Sequence, residues 1–190
     1  MKRLLATCLL AAVLLPAAEP RAADLRSVSV EHEDGRYKLT SETFFDAEQS
    51  ELFRVLTDYD LFIKFTAAFT ETRNLDPDDE GRPRFYTRME GCVLLFCKAY
   101  IRSGHLELKP EYDIVAIADP ELSNFKFARE RWQLIPEEDG VVLIYDFEME
   151  PDFWVPPVIG PYVVKRAMRS GGISAVDRIE ALAQGKEPEQ

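Results

Sequence analysis

Histidine and cysteine are scarce in this chain of 190 residues: two histidines, His32 and His105, and three cysteines, Cys8, Cys92 and Cys97. Zinc-type centres need three or four such ligands at short spacings, and no such spacing occurs, so no metal is expected. A nucleophile elbow of the Gly-x-Ser-x-Gly type is missing, as is a glycine-rich phosphate loop. Ser170-Gly171-Gly172 reads as an irregularity within a helix and not as a catalytic turn. Basic charge is also in short supply. Lys and Arg number 23 against 34 Asp and Glu, a net charge of −11. Nucleic acid is thereby excluded, because its phosphates need a basic surface. Acidity also argues against electrostatic docking on anionic lipid, which leaves apolar area as the basis of any membrane contact. An ordinary membrane span needs about 20 apolar residues, and Leu4–Leu15 falls short of it.

That short run has another use. Lys2 and Arg3 precede it, and Pro16, Ala17, Ala18 and the pair Ala22-Ala23 follow, the layout of a secretory signal peptide over residues 1–23. An uncleaved anchor is the alternative; a lipid anchor at Cys8 is not expected, since almost no apolar run precedes it. Export to the periplasm follows. Cleavage removes three basic residues and Glu19, a net +2, which takes the charge from −11 to −13. It also removes Cys8 and leaves Cys92 and Cys97, an even pair in an oxidising space, where a disulfide is expected. Two reduced cysteines within a sheet are the alternative. On one extended strand these residues would lie about 16 Å apart, and a disulfide needs Cα atoms about 5.5 Å apart. The chain must therefore reverse between them, which makes Val93, Leu94, Leu95 and Phe96 an apolar hairpin tip. Such a tip would touch a membrane or an envelope protein, cap a cavity, or pack on its own domain.

Past the leader, residues 24–36 are polar and read as a loosely ordered extension. Tyr37–Phe45 alternates as a strand. Asp46 with Gln49 suggests a capping box, and Leu52, Phe53, Val55 and Leu56 give the next helix an apolar face. Tyr59, Phe62, Phe65 and Phe69 suggest a second short helix. Strands follow over Thr70–Leu75, Pro83–Cys92, Cys97–Leu108, Tyr112–Ala118, Ser123–Ile135 and Val141–Met149. The linker Phe153–Gly160 leads into a long helix over Pro161–Leu182 that contains Gly171-Gly172, a potential kink or close approach to the sheet. Residues 185–190 form a polar tail.

Particular segments in this order resemble a known superfamily. Phe45-Asp46-Ala47 leads into Val55-Leu56-Thr57-Asp58-Tyr59. Arg131-Trp132-Gln133-Leu134-Ile135-Pro136 precedes a hairpin with Gly140 and Tyr145. The segment Asp152–Arg169 carries Pro156-Pro157 and Gly160-Pro161 ahead of the last helix. Together they resemble the START-like (SRPBCC) superfamily of polyketide cyclases and coenzyme Q-binding proteins, in an exported branch. The resemblance covers nearly the whole mature chain. It implies an α+β helix-grip fold over residues 37–184: a curved antiparallel seven-stranded sheet, two short helices and a long C-terminal helix. The signal peptide and the Cys92–Cys97 bracket depart from the general pattern.

A sheet gripping a helix encloses space, so the resemblance implies a cavity for a hydrophobic small molecule or lipid, such as an isoprenoid or quinone. Candidate lining residues are Phe62, Phe65, Tyr86, Tyr100, Glu130, Trp132, Tyr145, Phe147, Trp154 and Tyr162; a filled core is the alternative. Glu130 on the cavity face would be a buried carboxylate paired with Arg88 or Arg102. Binding without catalysis and without a cofactor is the primary expectation, with no catalytic residue assigned. The alternatives are a cyclase- or hydrolase-like enzyme that uses His105 or Glu130, and an interaction module that uses the 93–96 tip.

Overall fold

Strand-forming stretches of alternating apolar and polar residues dominate the fold. The computed structural model describes residues 23–93 and 96–188, with backbone alone for Cys92, Val93, Phe96 and Cys97. Eight strands are present: β1 (Asp24–Glu33), β2 (Arg36–Phe45), β3 (Phe69–Leu75), β4 (Arg84–Val93), β5 (Phe96–Lys109), β6 (Asp113–Ala118), β7 (Phe125–Glu137) and β8 (Gly140–Pro151). They form one curved antiparallel sheet in the order β1-β2-β8-β7-β6-β5-β4-β3. Helix α1 (Gln49–Thr57) and a 3₁₀ turn at Phe62–Lys64 carry the chain from β2 to the far edge. From there β3 to β8 meander back, until β8 pairs with β2. Helix α2 (Gly160–Ala183) closes the chain. The α+β helix-grip arrangement is as expected.

The strand number is corrected from seven to eight. Residues 24–33 are not a loose extension but an edge strand paired with β2. The physical reason is the turn Asp34-Gly35, with φ of +47° and +84°. Both central residues at positive φ define the tight hairpin that suits the twist of two antiparallel strands. Val28 and Val30 then alternate onto one face.

The capping box is also corrected. Helix α1 begins after Glu48, without a side-chain cap, and the Gln49 amide donates to the Glu111 carbonyl. Asp46 is held differently: its N–H donates to Glu180 Oε1 at 2.9 Å, and its carbonyl accepts from Gln184 Nε2 at 2.7 Å. The end of α2 is thereby tied to the end of β2. The stretch expected as a second helix contracts to the 3₁₀ turn, while α2 runs unbroken through Gly171-Gly172. Gly172 faces the sheet, but a Cβ there would meet Leu39 at an ordinary 3.8 Å. Gly104 is different: a Cβ would lie 1.9 Å from the Ile117 carbonyl oxygen, so β5 and β6 meet at this point only through glycine.

Strand β4 ends and β5 begins at the pair Val93↔Phe96, with Cys92 directly opposite Cys97. The expected reversal between the cysteines is therefore present in the backbone. Their side chains, the tip residues Leu94 and Leu95, and the leader over residues 1–22 lie outside the described residues.

The concave face holds two apolar clusters. One gathers Leu52, Leu56, Tyr59, Phe62, Phe85 and Trp132 with the end of α2. The other joins Tyr37, Ala118, Phe125, Ala128 and Met149.

Candidate functional site

Side chains alternate across a strand, so register decides which residues meet. Along β7, Ala128, Glu130 and Trp132 share the concave face; Ala128 belongs to one apolar cluster and Trp132 to the other. Glu130 therefore lies at the seam between them. Opposite it on β8 stands Phe147, next along that face from Tyr145.

A carboxylate in such surroundings needs a partner. Arg102 on β5 supplies it through two bonds, Nη1 to Oε1 at 2.7 Å and Nη2 to Oε2 at 3.1 Å. Arg102 is 3 % exposed and Glu130 6 %. The Tyr145 hydroxyl donates to Glu130 Oε1 at 3.0 Å, and the Arg102 guanidinium lies 5.1 Å from the Phe147 ring centroid. Of the two arginines expected as partners, Arg102 is the one; Arg88 pairs with Glu90.

Burial acts to lower the Arg102 pKa, but the charge and hydrogen bonds of Glu130 outweigh it and hold the pKa above its ordinary value. Tyr145 and Tyr59 are both pushed well above the usual phenol range, by burial first and then by the Glu130 charge. Both phenols stay protonated at neutral pH. Tyr145 spends its proton on Glu130. Tyr59 Oη and Arg102 Nε are buried and have no protein hydrogen-bond partner among the described residues. The first can donate and the second must, so the interior presents two donors suited to an oxygen acceptor.

Helix α2 faces this network unevenly. Its last turns bury Ile179, Glu180, Leu182 and Ala183, whereas Val164, Met168, Ala175 and Val176 are only half-buried. On the sheet side Tyr100, Tyr145 and Phe147 are half-buried as well. The interior is thus tightly packed toward α1 and looser toward the start of α2.

The expected lining residues separate accordingly. Glu130, Tyr145, Phe147 and Tyr100 lie on the concave face. Phe62, Phe65 and Trp132 are there too but filled into core: Phe62 stacks on Tyr59 at 3.9 Å and meets the Trp132 edge at 6.3 Å. Tyr86 is corrected. It pairs with Ser103, one residue out of step with Arg102, and lies on the outer face beneath the Arg73 guanidinium. Trp154 and Tyr162 are corrected too, being 79 % and 69 % exposed at the surface. His105 is likewise out of step with Arg102 and sits on the outer face opposite Ile117, away from Glu130. Tyr59 was missed as a polar group, because its helical spacing with Phe62 marks it only as apolar.

Elsewhere, an open hollow of about 930 Å³ lies between the start of α1, the β7–β8 turn and the end of α2. Its rim includes Glu48, Glu51, Glu137 and Asp139 and none of the expected lining residues. No cluster able to hold a metal ion occurs among the described residues.

Solved structures share this architecture. A START superfamily protein from Mycobacterium smegmatis is 14 % identical, with a TM-score of 0.60 over 76 % of this chain and 98 % of its own. A STAR-related lipid transfer protein from Xanthomonas axonopodis is 15 % identical, with a TM-score of 0.58 over 83 % and 98 %. The di-domain aromatase/cyclase StfQ of the steffimycin biosynthetic pathway is 12 % identical, with a TM-score of 0.59 over 80 % of this chain and 52 % of its own. The chain has the START-like helix-grip fold. No family model matches the sequence, and no curated protein does.

Proposed function

We propose that the protein binds a hydrophobic small molecule or lipid, such as an isoprenoid or quinone, between the sheet and the first half of α2. The observation that carries this is the buried Arg102–Glu130–Tyr145 network, with the unpartnered donors Arg102 Nε and Tyr59 Oη. An apolar interior that keeps donors unpaired suits a ligand with an apolar body and an oxygen acceptor, a carbonyl, hydroxyl or ether. The half-buried faces of α2, β8 and β5 provide the apolar contact. A transfer role is compatible with a helix packed firmly at only one end.

The site of action we propose is the periplasm. Support comes from the leader sequence and from Cys92 standing directly opposite Cys97. Opposed residues of an antiparallel pair have Cα atoms about 4.5–5.5 Å apart, within disulfide range.

The test is native mass spectrometry and solvent extraction of protein purified from a periplasm. An apolar, oxygen-bearing molecule should co-purify. The Arg102→Leu/Glu130→Leu variant should fold but lose it. Tyr59→Phe should weaken binding by about 2- to 10-fold, the worth of one hydrogen bond. Repeated purification of an empty wild-type protein overturns the proposal, as does undiminished binding by the double variant.

A further inference from the structure

The acidity of the chain is not evenly spread. Between Asp152 and Asp177 there is no acidic residue, and Lys165, Arg166 and Arg169 fall there. Arg166 and Arg169 are exposed, as is Lys98 at the start of β5. Among the described residues no carboxylate lies within 4.0 Å of Lys98, Lys165, Arg166 or Arg169. Arginines elsewhere, such as Arg26, Arg36, Arg73, Arg82 and Arg131, are tied into ion pairs. Lys38, Arg84, Lys109, Arg129 and Arg178 also lack a carboxylate within 4.0 Å among the described residues. In a molecule of net charge −11, however, the 24 residues from 153 to 176 hold three cations and no acidic residue.

The same place carries the most exposed apolar side chains. Val158 is 89 % exposed, Trp154 79 %, Tyr162 69 % and Ile159 42 %. On α2, Tyr162, Arg166, Arg169 and Ile173 follow at spacings of four, three and four, which forms one outward stripe. The linker that presents Trp154 and Val158 is held in shape. Phe153 packs on Tyr100 at 4.4 Å and on Phe125 at 6.0 Å, and the Gly160 N–H donates to the Pro156 carbonyl at 2.8 Å. Lys98 lies 5.6 Å from the Phe153 ring, so the start of β5 adjoins this surface.

We infer that this end of the molecule docks peripherally on an anionic phospholipid bilayer. Trp154, Val158 and Ile159 enter the interface, Tyr162 sits at headgroup level, and Arg166, Arg169 and Lys98 meet lipid phosphates. Trp and Tyr favour the membrane interface because one end is apolar and the other polar. Apolar entry together with cationic attraction is how interfacial segments bind. The positive end of the α2 dipole adds the same sign of charge. A nucleic acid or an acidic protein would engage the cations but would leave four apolar side chains in water. The net acidity that argues against anionic lipid for the chain as a whole is locally reversed on this face, where three cations and no carboxylate lie between Asp152 and Asp177.

The test uses the mature chain with vesicles of phosphatidylcholine containing 30 % phosphatidylglycerol, and with phosphatidylcholine alone. The protein should float with the anionic vesicles and not with the neutral ones, and added salt should release it. Trp154 emission should shift to the blue; Trp132, already buried, should not contribute. Arg166→Glu/Arg169→Glu should bind on the order of 30-fold or more weakly, since each basic residue near the surface contributes about fivefold. Trp154→Ser/Val158→Ser should remove the emission shift and weaken flotation. Absence of flotation with anionic vesicles overturns the inference, as does equal flotation of the charge-reversed variant or equal binding to neutral vesicles. Interior ligand occupancy of Arg166→Glu/Arg169→Glu should match wild type, so failure of docking is distinguishable from failure of the binding proposal.

Discussion

Arg102 and Glu130 show how a single pair can divide a core. Either residue alone would be an uncompensated charge between two apolar clusters. Arg102→Leu should therefore cost about 3–5 kcal/mol. Replacing both with leucine removes two desolvation penalties together, and the double variant should lie within about 1–2 kcal/mol of wild type or above it. Denaturant unfolding of the three proteins checks this: a double variant less stable than Arg102→Leu would show the pair to be net stabilising. Glu180 differs, because burial raises its pKa while it accepts from the Asp46 N–H. A folded-state pKa above the unfolded value means that protonation favours the fold. The contribution is full below the ordinary carboxylate range and is lost as pH rises through the folded pKa. Glu180→Gln keeps an acceptor oxygen and cannot ionise. It should be at least as stable as wild type at pH 7, with the advantage shrinking toward pH 4 in thermal melts. A disadvantage that appears only at pH 7 would show that the charge itself holds Asp46.

At the scale of elements, the β1–β2 and β4–β5 hairpins behave differently. The β1–β2 turn depends on Gly35 at φ +84°. Gly35→Ala should cost about 1–2 kcal/mol, the strain of a Cβ in the left-handed region; an unchanged melting curve would mean that β1 contributes nothing to cooperative stability. At β4–β5, the proposed Cys92–Cys97 bond would close so small a loop that its reduction should cost about 2 kcal/mol. Alkylation of the unreduced, unfolded mature chain should add no mass, and two added labels would refute the bond. These elements also show what the sequence makes legible. Alternation over Tyr37–Phe45 and Val141–Met149 is visible because those strands bury one face. Residues 24–33 are mostly polar, and their only clear sign is Asp34-Gly35, a turn signal outweighed by composition. Glu130 can be assigned an arginine partner because its strand face carries Ala128 and Trp132. The misplacement of Tyr86 is one step of register, which flips a side chain to the other face. Trp154 fails for a different reason, since an aromatic residue in a linker carries no periodicity to say whether it points in or out. Tyr162, in the first turn of α2, falls on the outward stripe with Arg166, Arg169 and Ile173.

Across the whole molecule, α2 runs from a basic, apolar end to an acidic one. Its 24 residues span about 36 Å. At the far end Glu48, Glu51, Glu137 and Asp139 surround the open hollow. A bilayer that attracts one end repels the other, which sets orientation as well as affinity. The packing of α2 follows the same axis. Its last turns are buried against α1 and tied to Asp46, while ahead of them only one side of the helix, including Val164, Met168, Ala175 and Val176, is even half-buried. Local stability should grade with this burial, because sparse apolar contact lowers the free energy of local opening. Hydrogen exchange should therefore find the amides of residues 163–172 exchanging faster than those of 178–183. Anionic vesicles should slow exchange only in the first group and in the linker before it. Uniform protection along α2 would mean that the helix opens only with the whole fold. Ligand entry would then have to pass through global unfolding, a route too slow for a carrier.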